Sequence, residues 1–241
     1  MDSIEVVSAG SKSGVGVLDK SVAILAFLSS GGPATLAEVV EGTRLPRPTA
    51  HRLLSALETH HLVSRQEGRY VLGLRLLGWG NRAAGVGLVE LARPVLEGLR
   101  NESEESTQLY VREGEHRVCV AAVERVTGLR DTVPVGAVMP LSRGSAGKVL
   151  LAWASGGVDD RPDAAELRGI RVRGWAESVA EREAGVASVS APVFGEDGRL
   201  RVRAAVSVSG PISRLGESPG QRLSQLVVGA AREIESTSGD I

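Results

Sequence analysis

Apolar residues recur at helical spacing from Val17 to Leu28, where Val17, Leu18, Val22, Ile24, Leu25 and Leu28 fit one face. Asp19 suits the first turn and Gly31-Gly32-Pro33 ends the run. Thr35 caps a second helix, with Glu38 three residues on completing a capping box. That helix turns Leu36, Val39 and Val40 inward and ends near Gly42. Pro46 and Pro48 open a third, where a missing N–H costs nothing. It reaches about Thr59 and buries Leu53, Leu54 and Leu57. Two short strands follow, Leu62-Val63-Ser64 and Arg69-Tyr70-Val71-Leu72, around a Gln66-Glu67-Gly68 turn. Three helices and a hairpin in this order predict a winged helix-turn-helix over residues 14–73.

From Gly73 to Val86 the residues Leu74, Leu76, Leu77 and Trp79 predict a linker helix, placed at 74–87 between the domains. Leu88 to Arg100 is a further amphipathic helix. Strands are expected at Gln108–Arg112 and Val118–Val123, then a glycine-marked segment Gly128–Gly136 and a helix from Ser145 to Trp153. Residues 154–169 read as a loop or short helix. Two late strands, Ala187–Val193 and Ala204–Ser209, flank the turn signal Asp197-Gly198, and a helix from Gly220 to Glu235 closes the chain. Mixed strands with helices at both ends predict an α/β (α+β) ligand domain over 88–241.

Composition narrows the chemistry. The 241 residues carry 42% hydrophobic and 24% charged side chains, a globular balance. Aromatics are 3%, so the core rests on aliphatic residues. The net charge of −1 excludes nucleic-acid binding by bulk charge and requires a local patch. Cys119 stands alone, which excludes an internal disulfide or a cysteine-based zinc site and suits a reducing cytoplasm. The start Met1-Asp2-Ser3-Ile4-Glu5 lacks a signal-peptide pattern, and no apolar run has the roughly 18 residues of a membrane helix, so a cytoplasmic location without membrane association is expected.

The patch lies in the third helix and the hairpin. Arg47, Thr49, His51 and Arg52 sit on the face opposite Leu53, Leu54 and Leu57, behind Pro48 at the helix start. A recognition helix offers its first turns to base edges and phosphates in this way. Arg65 and Arg69 flank the wing turn, within reach of a neighbouring phosphate or the minor groove. Residues 44–75 sum to +4 and the remainder to −5. Such local charge is what binding of double-stranded operator DNA needs. The competing reading is a solvated helix face on a winged helix that binds a protein. His60 and His61 read as packing or solvent residues.

A second candidate is Ser142-Arg143-Gly144-Ser145-Ala146-Gly147, ahead of an apolar helix. Free N–H groups at that helix start can hold a carboxylate, and Gly144 and Gly147 let a ligand approach the backbone. Period-two alternation puts Ser188 with Ser190, and Ser207 with Ser209, on common strand faces. Inward serines need partners, which a small polar effector supplies; serines bonded to water or backbone are the alternative.

Enzyme motifs fail in detail. Ser145-Ala146-Gly147-Lys148 fits Ser-x-x-Lys but lacks its Lys-Thr-Gly companion. Gly147-Lys148 lacks the first glycine and the Ser/Thr of a phosphate loop. Gly14-Val15-Gly16 lacks a third glycine, and of the four histidines only His116 lies outside the winged helix. No catalytic residue, metal site or cofactor is therefore assigned, and Cys119 reads as a buried core thiol. A hydrolytic or small-molecule-binding domain with an accessory winged helix is the alternative, but no nucleophile–base pair supports it.

Taken together, Leu45-Pro46-Arg47-Pro48-Thr49-Ala50-His51-Arg52-Leu53-Leu54, Ser145-Ala146-Gly147-Lys148, Gly174-Trp175-Ala176 with Glu181-Arg182-Glu183, and Ser207-Val208-Ser209-Gly210-Pro211 resemble the IclR family of bacterial transcription regulators. Gly14 to Lys20, Gly128 to Gly136 and Gly185 to Val193 look closest to its NdgR/LtbR-type regulators of amino-acid metabolism. The resemblance implies a GAF-like C-terminal effector domain and a homodimer or homotetramer on a pseudo-palindromic operator. It implies a small metabolite effector and leucine-type or other amino-acid biosynthesis genes as targets; members act as repressors, activators or both. Arg47, Thr49, His51 and Arg52 match the family's recognition positions, and Ser145, Ala146 and Gly147 its pocket loop. Ser188 falls where some members carry a pocket cysteine, and Ser207 and Ser209 match its late pocket strand. Residues 154–169 and the basic stretch Arg199-Leu200-Arg201-Val202-Arg203 depart from the family pattern.

Overall fold

A computed structural model describes residues 13–83, 87–154, 163–195 and 198–238. They fall into two compact units, one ending at Ala83 and the other holding the rest of the described chain.

The first unit opens with α1 (Gly16–Gly31), α2 (Leu36–Thr43) and α3 (Arg47–Thr59). The hairpin β1 (Val63–Gln66) and β2 (Arg69–Leu72) follows, then α4 (Arg75–Ala83). The capping box of α2 forms: Glu38 N–H donates to Thr35 Oγ1 and Thr35 N–H to the Glu38 carboxylate. Just before it, Ala34 and Tyr70 exchange backbone hydrogen bonds and tie the wing to the start of α2. Ile24, Leu28, Val39, Leu53, Leu54, Leu57, Val63 and Tyr70 form the core. The α1 face differs from expectation. Only Ile24 and Leu28 are buried in it, while Val17, Leu18 and Val22 lie about half exposed. The two sets are offset around the helix, and this small unit offers a surface to only one of them. In α4 Leu77 and Trp79 are likewise exposed, with Leu74 just before them.

The second unit comprises α5 (Leu88–Ser103), β3 (Ser106–Glu113), β4 (His116–Val123), β5 (Val138–Pro140) and α6 (Ser145–Ala152). It continues with α7 (Ala164–Arg173), β6 (Ala176–Val179), β7 (Val186–Gly195), β8 (Gly198–Pro211), α8 (Ile212–Leu215) and α9 (Gly220–Ser238). The strands form one antiparallel sheet in the order β5-β4-β3-β8-β7-β6. One face packs on α5 and α9 through Leu96, Leu109, Val189, Val206, Leu223 and Val227. The other packs on α6 and α7 through Tyr110, Cys119, Ala205, Val149, Leu167 and Ile170. Central β8 is covered on both sides, so Ala204 to Gly210 is buried without alternation.

One expectation changes, and two segments gain definition. The stretch expected at 154–169 contains the start of α7 from Ala164; residues 155–162 lie outside the described residues, as do 1–12 and Asp197 of the turn signal. Strands β5 and β6, of three and four residues, were not expected from the pattern, which is too short there to show a period. Gly128–Gly136 forms no regular element. It is held to the domain by Arg182, whose guanidinium pairs with Asp131 at 2.6 Å, and by Arg214, which donates to Leu129 O at 2.7 Å.

Candidate nucleic-acid interface and effector site

Helices α2 and α3 are joined by Arg44, Leu45 and Pro46, a turn of the length a helix-turn-helix uses. Arg44 takes the left-handed conformation (φ 56°) that ends α2. Pro46 caps α3 and Pro48 lies in its first turn. With Ala50, Leu53, Leu54 and Leu57 buried, the opposite face carries Arg47, Pro48, His51 and Arg52 in solvent and Thr49 half-buried. Arg44, Arg47 and Arg52 make no ion pair among the described residues.

The wing arginines are placed differently. Arg65 lies 4.5 Å over the Tyr70 ring, donates to its hydroxyl, and pairs with Glu58 at 3.3 Å. Arg69 donates to Pro33 O at 2.9 Å and pairs with Glu38 at 3.0 Å. Both guanidinium groups are thus engaged within the unit, and two glutamates offset their charge. The uncompensated charge sits in the turn and on α3. Arg44 is a basic position that the sequence reading did not list among contacts; its place in the turn was the available signal.

The second site surrounds the start of α6. Gly144 takes φ +82° before the helix, and Gly147 packs so close that a Cβ there would lie 2.2 Å from Leu141 O. Glycine is required at both positions for backbone reasons. Ser145 is 1% exposed and its hydroxyl bonds the hydroxyls of both Ser188 and Ser190 at 2.7 Å. Ser190 donates to Ser207 at 2.9 Å, and Gln108 Nε2 donates to Ser209 at 2.9 Å. The sheet register explains the cluster: Ser188 faces Ser209, and Ser190 faces Ser207, across β7 and β8. Ser145, Ser188, Ser190 and Ser207 satisfy one another and Gln108 satisfies Ser209, an arrangement that neither reading from sequence contained. Ala146 and Gly147 are buried beside them, whereas Ser142 is exposed and outside the cluster.

The helix start is not free. Gly144 N–H donates to a Glu181 carboxylate oxygen at 3.2 Å, and the other oxygen of Glu181 pairs with Lys148 at 2.5 Å. Lys148 also pairs with Glu166 at 2.8 Å. Burial pulls the ammonium pKa down, but the two carboxylates outweigh it and leave Lys148 above the ordinary lysine value. Lys148 is engaged by Glu181 and Glu166, and the Ser145 hydroxyl by Ser188 and Ser190, so no bond joins the serine and lysine of the Ser-x-x-Lys pattern among the described residues.

Arg117, which the sequence reading passed over, organises the same loop from β4. It is 3% exposed, donates to Pro140 O and, at 2.7 Å, to Arg143 O, and lies 5.5 Å from the Tyr110 ring. Burial lowers its pKa, and burial raises that of the adjacent Tyr110 hydroxyl. The alternation Arg117, Cys119, Ala121 on inward positions of β4 was the signal for it. Cys119 is fully buried, and burial pushes its thiol pKa up to about 12. Among the described residues, no group of His, Cys, Asp or Glu gathers to hold a metal, and no helix is long and apolar enough to cross a membrane.

Comparison with known proteins aligns with this geometry. Residues 17–67 match the IclR helix-turn-helix domain, and residues 82–161 and 163–236 match the C-terminal domain of the bacterial transcriptional regulator IclR. The chain is 28% identical to the HTH-type transcriptional regulator KipR of Bacillus subtilis, over 91% of this chain and 96% of KipR. It is 31% identical to the glycerol operon regulatory protein of Streptomyces griseus, over 82% and 85% of the two chains. The crystal structure of Thermotoga maritima IclR superposes with a TM-score of 0.70 at 24% identity, over 93% of this chain and 99% of that one.

Proposed function

The chain belongs to the IclR family of bacterial transcriptional regulators, a DNA-binding family rather than a family of enzymes, and from that premise we propose how it acts. Residues 14–73 read a pseudo-palindromic operator, 74–87 link, and 88–241 bind a small anionic metabolite that alters operator affinity. The observation that carries the DNA contact is α3, whose Arg47, His51 and Arg52 are exposed on the side away from the core and make no ion pair among the described residues. Pro48 and Thr49 complete that surface. Arg65 and Arg69 serve as secondary contacts, since reaching phosphate requires exchanging their glutamate partners. Arg52→Ala is the test: gel shifts at moderate salt are expected to show weaker operator binding, and unchanged affinity refutes the assignment.

The effector site takes Ser142, Gly144, Ser145, Ala146, Gly147, Ser188, Ser190, Ser207 and Ser209. Support for an anionic ligand comes from Glu181, whose carboxylate already occupies the seat at Gly144 N–H. An effector carboxylate competes with it, and the ligand acts through its different affinity for the free and DNA-bound states. Ser145→Trp should abolish the effector response while sparing operator binding; normal ligand heats in that variant refute the pocket.

A homodimer or dimer of dimers in the cytoplasm fits a two-half-site operator. The half-exposed Val17, Leu18 and Val22 of α1 and the exposed Leu77 and Trp79 of α4 are apolar surface of the kind that partners cover. The segments resembling NdgR/LtbR-type regulators support leucine-type or other amino-acid biosynthesis genes as targets. Sequencing genomic DNA that co-purifies with the protein tests this directly, through the genes beside the bound sites.

A further inference from the structure

At the opposite end of α6 from the serine cluster lies a cleft of about 570 Å³. Its walls include Arg112 of β3, Arg201, Val202 and Arg203 of β8, and Leu150 and Trp153 at the end of α6. Nothing in the DNA or effector reading uses this basic stretch.

The ends of β3 and β8 bring three arginines to this one cleft. Tyr110 pairs with Ala205 in the antiparallel β3–β8 ladder. That pairing ends there and a bulge in the β7–β8 ladder falls at Arg203, and beyond it Arg112, Arg201 and Arg203 all line the cleft. Like charges gathered at one cleft repel. Arg112 is compensated: it donates to Gly114 O at 2.7 Å and pairs with Glu115 at 3.1 Å. Arg201 and Arg203 make no ion pair among the described residues. The end of α6 contributes partial negative charge, but Arg171 already donates to Ala152 O there. Among the described residues, two guanidinium charges therefore line one cleft with no ion-pair partner, beside an apolar wall of Leu150, Val202 and Trp153. The Trp153 ring is held edge-on by Phe194 at 5.4 Å.

We propose that this cleft binds a small organic phosphate, a phosphate monoester with a flat apolar body. The dianion neutralises Arg201 and Arg203, whose planar forks match phosphate oxygens, and the ring lies against Trp153 and Leu150. The site is separate from the effector pocket and does not depend on it.

Phenyl phosphate is the probe. Titrated into the full chain at low salt, it should give saturable heats with a Kd on the order of 0.1–1 mM, a reasonable strength for a ligand of this size. Tryptophan fluorescence should change in parallel. R201S/R203S, at two solvent-facing positions, should bind at least about tenfold more weakly. Inorganic phosphate, lacking the ring, should also bind more weakly. W153F should keep measurable heats but lose the fluorescence change, which separates Trp153 from Trp79 and Trp175. The proposal is overturned by an absence of saturable binding to the wild-type chain, by equal binding to R201S/R203S, or by a full fluorescence response in W153F. If R201S/R203S instead weakens operator binding while phenyl phosphate never binds, the arginines serve the DNA backbone and the cleft is not a small-molecule site.

Discussion

Removing the Ser190 hydroxyl should expose how the serine cluster holds the second unit together. Ser190 is fully buried and is the middle of a chain running from Ser188 through Ser145 and Ser190 to Ser207. Ser190→Ala deletes two hydrogen bonds, each worth about 0.5–1.5 kcal/mol net. Ser145 keeps Ser188 as a partner, but Ser207 is left with no other side-chain partner among the described residues. A buried orphan hydroxyl costs about 1–3 kcal/mol, partly counted in those lost bonds, so a total near 2–3 kcal/mol is expected. For a domain of this size that is a fall in Tm of roughly 5–10 °C. The informative measurement is the double-mutant cycle. Ser207→Ala in the Ser190→Ala background removes the orphan, so its cost should be near zero and the coupling about 1–2 kcal/mol. Calorimetry of the four full-length proteins reads this out. Additive losses would refute the reasoning, because they would mean that the two hydroxyls are satisfied independently.

Other outcomes follow from the same geometry. Arg47→Ala should lower the slope of log K against log salt for operator binding by about one phosphate contact, measured by fluorescence anisotropy across salt; an unchanged slope removes Arg47 from the backbone contacts. Thr35→Ala should destabilise the first unit by about 1 kcal/mol through loss of the capping box, read by denaturant melts. Glu38 accepts the Thr35 backbone and side-chain bonds and faces Arg69, which hold its carboxyl below the ordinary value. Its contribution is therefore present above the ordinary carboxylate range and lost as pH falls through the folded pKa, so the Thr35→Ala penalty should shrink in acid. Cys119, buried with its thiol near 12, should resist alkylation at pH 8 in the native chain and react once the chain is unfolded. Gly147→Ala should destabilise the second unit by more than an ordinary helical Gly→Ala change, since the added carbon would meet Leu141 O at 2.2 Å.

The sequence by itself determined what depends on neighbours a few residues apart. Thr35 and Glu38 cap α2, the proline pair opens α3, and the leucine spacing turns Arg47 and Arg52 outward; each is set within one or two helical turns. The alternation of Ser188 with Ser190 and Ser207 with Ser209 was equally local. Tertiary structure decided what those groups meet. Serines that an isolated strand can only place on a face become partners because β7 and β8 pair in one register and α6 crosses them. Glu181 reaches Gly144 across 37 positions of chain, and Arg117 reaches Arg143 across 26. Val17, Leu18 and Val22 share a helix with Ile24, yet stay about half exposed because no second surface among the described residues of the unit covers them. Periodicity sets the direction of a side chain, whereas burial and charge compensation depend on elements distant in sequence, whose arrival no local pattern encodes.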